Sequence, residues 1–241
     1  MKKTNPIGIN ALTLRCLALI LMLLDHLWGT VVPGNDWMNF AGRIAFPIFA
    51  FQIAEGYFHT RNFRNYCKRL LIFGLVSEIP FNLMIYSSPI FPFHQNVMFT
   101  LLLGLLAIRA IDQMKQQPTP KKAAVGILKL AGIWILSTIT FPDYGTMGVI
   151  NVVTFYLLRN IPCAKLAQFI AMVAIHWFGY KGRFIPITIS SLYLEFPVQA
   201  FAILSLIPIW LYNGEKGPSN RFFQYGSYLF YPLHMLILYF L

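Results

Sequence analysis

The stretch Ala11-Leu12-Thr13-Leu14-Arg15-Cys16-Leu17-Ala18-Leu19-Ile20-Leu21-Met22-Leu23-Leu24-Asp25-His26 decides how the rest of the chain is read. It is apolar almost throughout, and with its flanks, roughly residues 9–32, it exceeds the ~20 residues a helix needs to cross a bilayer. Lys2 and Lys3 precede it, as in a signal peptide. However, no small-residue cleavage site follows the apolar run, and Asp25-His26 interrupts it, so it reads as a retained first span with a cytoplasmic N-terminus.

Composition extends that reading to the whole chain. Of 241 residues 57% are apolar and 11% charged, with a mean hydropathy of +0.61, whereas a soluble domain is about one-quarter charged. A water-soluble globule is therefore excluded. The chain reads as an all-α polytopic membrane protein of about nine transmembrane helices in one domain, residues 1–241. The expected helices are roughly 9–32, 38–58, 66–86, 96–112, 123–141, 145–159, 162–178, 184–212 and 222–241, the eighth broken near Glu195-Phe196-Pro197.

With the N-terminus inside, 15 of the 19 Lys and Arg residues fall in inner loops or at inner helix ends. The net charge of +11 is thus mostly topological, and no nucleic-acid partner is implied. Lys181 and Arg183 are the cations expected outside. Cys16, Cys67 and Cys163 have no paired spacing, and no His, Asp, Glu or Cys cluster has ligand spacing, so neither a disulfide framework nor a metal is expected.

Charged groups within spans cost roughly 2.5–3.5 kcal/mol each and call for a partner or a function. Here they are Asp25, His26, Arg43, Glu55, Glu78, His176, Glu195 and His234. Asp25 and Arg43 lie at similar depths on the first two spans and are expected to pair, either as structural glue or beside an imidazole, His26, whose protonation such neighbours tune. Arg15 and His26 are eleven residues apart, three turns and nearly one face, so a groove could run between them. Glu55 and Glu78 read equally as helix–helix hydrogen bonders or site residues. His176 and His94 read as ordinary interfacial histidines. His234, in Tyr231-Pro232-Leu233-His234, is open to either reading. The run Arg61-Asn62-Phe63-Arg64-Asn65-Tyr66-Cys67-Lys68-Arg69 marks an inner loop or a seat for phosphates.

The segments Leu24-Asp25-His26, Gly42-Arg43-Ile44-Ala45-Phe46-Pro47-Ile48-Phe49-Ala50-Phe51, Glu55-Gly56-Tyr57-Phe58 and Phe63-Arg64-Asn65-Tyr66 together resemble the TraX family of membrane proteins. Ser77-Glu78-Ile79-Pro80-Phe81, Gln95-Asn96-Val97-Met98-Phe99-Thr100, Asp143-Tyr144-Gly145 and Phe230-Tyr231-Pro232-Leu233-His234 extend the resemblance to the C-terminal end. Leu14-Arg15-Cys16-Leu17-Ala18 followed by His26 is similar to the first helix of the acyltransferase-3 branch of transmembrane acyltransferases. That branch has Gly where Cys16 stands, and Gly-Val-Asp-Leu-Phe-Phe near its second helix in place of the Gly42–Phe51 stretch.

The resemblance implies an acetyl-CoA-dependent membrane acyltransferase of the bacterial inner membrane, modifying an acceptor at or across the bilayer. The acceptor could be a pilin N-terminus, as in conjugal pilin acetylation, or an envelope glycan or other molecule. It assigns catalysis to His26, as general base or transient acyl carrier, with Asp25 and Arg43 supporting it. Arg15, Glu55, Arg61, Arg64, Lys68 and Arg69 would bind the acyl-CoA, the phosphates at the basic loop and the pantetheine arm along the Arg15-to-His26 groove. Glu78, Asn96, Tyr144 and His234 are further site candidates. The alternatives are a proton-coupled small-molecule transporter, since intramembrane carboxylates and imidazoles also build proton relays, and a scaffold for pilus or envelope assembly. The partners expected are thus acyl-CoA, the acceptor and the lipid bilayer, with a homodimer left open.

Overall fold

The computed structural model describes residues 8–180, 182–189, 192–218 and 221–241. Lys2, Lys3 and Lys181, which entered the orientation argument, lie outside them. Helices dominate. Among the described residues four are long and apolar enough to cross a membrane: α1 (Ala11–Thr30), α4 (Phe63–Tyr86), α5 (Val97–Gln116) and α6 (Pro120–Ile139). The other helices are α2 (Asp36–Gly42), α3 (Ala45–His59), α7 (Gly145–Leu157), α8 (Ala164–Val173), α9 (Leu206–Trp210) and the C-terminal α10 (Arg221–Phe240, 20 residues). The chain divides into two compact units, one of residues up to Phe49 plus Asn160–Gln224, the other Ala50–Arg159 plus Tyr225–Leu241.

Two expected helices take other forms. The span expected at 38–58 is two helices, α2 and α3, parted at Arg43-Ile44. Pro47, third residue of α3, has no N–H to offer the preceding turn, which makes it a residue for a helix start and not an interior. The helix expected at 184–212 is an antiparallel hairpin over its first half, β1 (Phe184–Ile189) and β2 (Leu192–Pro197), with Phe184 opposite Pro197 and Pro186 opposite Glu195. This is the departure from an all-α chain. Ile185, Ile187, Thr188 and Ile189 are β-branched and Pro186 interrupts any helical ladder, so the segment favours the extended form. Helix resumes after Pro197 as a 3-10 stretch, Val198–Ser205, which runs into α9.

In the first unit, α1 packs on α2, and α8 continues as a π-helical turn, Ala174–Gly179, against the 3-10 stretch. Asn10 caps α1 by accepting the Thr13 N–H at 2.9 Å, satisfying one of the orphan amides of the first turn. In the second unit α5 is central, packed on α4, α6 and α7. Gly104 sets the α5–α7 approach, since a Cβ there would lie 2.7 Å from Val152 Cβ. Small residues that let backbones close up take the place of hydrophobic driving force inside lipid. Asn62 and Asn96 cap α4 and α5 through the N–H groups of Asn65 and Met98.

Candidate functional site

In the first unit the expected Asp25–Arg43 pair is present. Arg43 Nη2 donates to Asp25 Oδ2, and Asn39 Nδ2 donates to the other carboxylate oxygen at 2.7 Å. The side chains are 17% and 22% exposed, so the charges are well shielded and each has a partner, as buried charges require. Gly42 makes the contact possible, because a Cβ there would fall inside the Asp25 side chain. His26 and Arg15 are both half-buried on α1, His26 one residue beyond the pair and about 100° around the helix from Asp25. His176 is fully buried, with Gln199 at 3.2 Å from its Nδ1 and Tyr180 stacked on its ring.

At the edge of the same unit, Arg183 pairs with Asp36 at 2.6 Å and lies over the Trp28 ring, whose indole N–H donates to Asp36 at 3.2 Å. The hydrogen bond from Arg183 holds the Asp36 carboxyl below the usual aspartate range.

In the second unit Glu55 is gripped by Arg159, whose Nη2 donates to Oε2 at 2.9 Å and whose guanidinium lies 4.3 Å from the Phe58 ring centroid. His59 Nε2 is 3.6 Å from the same carboxylate. Beside α3, Asp112 accepts from Tyr57 at 2.6 Å and from Tyr156 at 2.9 Å, while Arg109 donates to Tyr57 at 3.3 Å. Arg61, Arg64 and Lys68 are exposed, with no carboxylate partner among the described residues, and Arg69 lies over the Tyr66 ring. Chemically, such a surface can neutralise phosphate oxygens.

The other end of α4 carries a second polar assembly. Asn96 Nδ2 donates to Glu78 at 2.5 Å and to the Gly74 carbonyl at 2.8 Å. Tyr86 Oη and His94 Nδ1 are 2.7 Å apart, and His94 Nε2 is 3.7 Å from Asp143. Tyr231 of α10, buried, takes a hydrogen bond from the Val97 N–H and lies within electrostatic reach of Glu78, Asp143 and Tyr144. Tyr144 itself has a left-handed backbone, φ 66°, at the start of α7. Glu78, Asn96 and Tyr144 are thus brought together. His234, one turn on, bonds back to the Phe230 carbonyl at 2.8 Å.

The family described as TraX protein matches residues 11–241. The chain belongs to the TraX family. It is also similar to a Dichelobacter nodosus protein named probable fimbrial assembly protein FimC, serogroup H1, at 31% identity over 250 residues, 98% of this chain and 96% of that one. No solved structure matches.

Several partnerships in this TraX family chain were invisible in the sequence, although Glu55 itself was a candidate there. Tyr57 and Asp112 are 55 positions apart and Glu55 and Arg159 are 104 apart, so no local spacing links them. Asn39 carries only a faint signal, four residues before Arg43 on the far side of a short loop from Asp25. His94, read as an ordinary interfacial histidine, lies between Tyr86 and Asp143. Among the described residues no cluster fit for a metal ion occurs.

Proposed function

We propose that this chain is a membrane-embedded acyltransferase that moves an acyl group, acetyl in the first instance, from coenzyme A on the cytoplasmic side of a bacterial inner membrane to an acceptor at or across that membrane. The observation that carries the reading is the Asp25–Arg43 ion pair beside His26, on a helix long and apolar enough to span a bilayer. A neutral imidazole at that depth can take the proton from an acceptor hydroxyl or amine as its oxygen or nitrogen attacks the thioester carbonyl. The new C–O or C–N bond forms, the C–S bond breaks, and the departing thiolate receives a proton. Asp25 would hold the local field and Arg43 would face the developing oxyanion. Separately, Arg61, Arg64 and Lys68 offer exposed charge to phosphates.

Family membership supports the reading, because the resemblance to transmembrane acyltransferases runs through Arg15 and His26. The name of the Dichelobacter nodosus relative, a probable fimbrial assembly protein, favours a fimbrial or pilus subunit as acceptor. The test is isothermal calorimetry of acetyl-CoA against the purified protein, beside His26→Ala and an Arg61→Ala/Arg64→Ala double variant. Binding that weakens in the double variant and persists in His26→Ala supports the assignment. No binding to folded protein overturns it.

A further inference from the structure

Within the second unit, Glu55 and Asp112 each lie against an arginine, whereas Glu78 and Asp143 have no Lys or Arg partner among the described residues, only the imidazole of His94. Beside the Tyr86 and Tyr231 hydroxyls and the His94 ring, the surroundings hold acceptor atoms that no donor reaches among the described residues. Glu78 Oε2 takes the Asn96 bonds and Asp143 Oδ1 the Tyr144 N–H, and no bond reaches either acid's second oxygen among the described residues. Among the described residues the buried Gln95 Oε1 has no partner. Neither has Asn82 Oδ1, on a side chain that is 2% exposed and sits one turn beyond Glu78 on the same side of α4. Buried acceptors of this kind are costly unless a donor reaches them. A primary ammonium, with three donors and no acceptor, is the group that supplies what is lacking.

The rim says where that group comes from. α4 ends at Tyr86 and α5 begins at Val97, both long enough to span, so the loop between them lies at a membrane face. On it Ile90 is 75% and Phe93 67% exposed, and Tyr86 and Phe91 stack at 3.8 Å between ring centroids. Exposed apolar and aromatic side chains at span ends belong at the headgroup level. We propose that Glu78, His94 and Asp143, rimmed by Ile90 and Phe93, seat the primary ammonium headgroup of a membrane lipid. A trimethylated headgroup has no N–H to give and is discriminated against.

The test places the protein in phosphatidylcholine–phosphatidylglycerol vesicles containing a trace of spin-labelled lipid with an ethanolamine, N-methylated or choline headgroup, and reads the motionally restricted fraction by electron paramagnetic resonance. Ethanolamine lipid is expected to be retained about tenfold over choline lipid, the ratio set by one charge-assisted hydrogen bond. The preference should hold while one N–H remains, disappear with the third methyl, and vanish in Glu78→Gln/Asp143→Asn. Equal retention of all headgroups overturns the proposal. So does displacement by a peptide with a free terminal amine when no headgroup preference exists, which moves the site to a peptide. The headgroup series uses the unaltered protein, so it stands even where the double variant fails to fold. Because no acyl transfer is read, its failure is separate from failure of the proposed activity.

Discussion

Arg159 and Glu55, 104 positions apart, meet through two hydrogen bonds at the junction of α3 with the end of α7. Their side chains are 18% and 11% exposed, and Phe58 covers the guanidinium face. Removing one member of such a shielded pair strands the other, which costs more than the pair itself contributes. Arg159→Ala is therefore expected to destabilise by about 3 kcal/mol, and Arg159→Met/Glu55→Gln by markedly less. Thermal unfolding of the two variants in detergent checks this, and equal losses would remove the pair from the account.

Gly42 sits where no side chain fits against Asp25. Gly42→Ala should push α1 from α2 and cost about 1–3 kcal/mol by overpacking, with loss of the Asp25–Arg43 contact. The check is the melting temperature of Gly42→Ala beside Gly29→Ala, since a Cβ at Gly29 meets nothing within 4 Å. Matching melts for the two variants would contradict the close approach.

Asp112 accepts two tyrosine hydroxyls at once. Tyr156→Phe loses one of these bonds, about 1 kcal/mol, while Asp112→Ala orphans both hydroxyls and is expected to cost about twice that or more. Denaturation of both variants gives the order, and the reverse order would show that the tyrosines find other partners.

The Asp36 carboxyl is held below the ordinary aspartate value of about 3.9 chiefly by its hydrogen bond from Arg183. A depressed folded pKa means that the contribution is complete above the unfolded value and disappears as pH falls through the folded one. Above pH 5 the Arg183–Asp36–Trp28 contact should thus be insensitive to pH, and it should loosen only in strong acid. The Trp28 indole N–H resonance reports it directly. A midpoint above the free aspartate value, or an unchanged titration in Arg183→Ala, would contradict the assignment.

For the proposed activity, His26→Ala should lower acyl transfer by a factor of about 100 to 10,000, the usual range for a positioned acid–base group, while the protein still folds and binds acetyl-CoA. Transfer assays with radiolabelled acetyl-CoA check it. Retention of most activity would take His26 out of the mechanism.

The sequence by itself determined the helical membrane character, because the energetic demand for long apolar runs is local and additive along the chain. It also pointed to the Asp25–Arg43 pairing, since opposite charges in neighbouring apolar segments are driven together, although Arg43 stands between α2 and α3 and not inside the span expected at 38–58. The parting of α2 from α3 at Arg43-Ile44 and the hairpin at 184–197 were read as helix, apart from a break near Glu195-Phe196-Pro197, because apolarity masked the change of period. Only the tertiary structure decided that Glu55 belongs to Arg159, that Asp112 collects Tyr57 and Tyr156, and that His94 stands between Tyr86 and Asp143. Those partners come from different helices and the loops between them, and which side chains meet depends on helix rotation and close approach at glycines such as Gly104, which no local pattern of residues encodes.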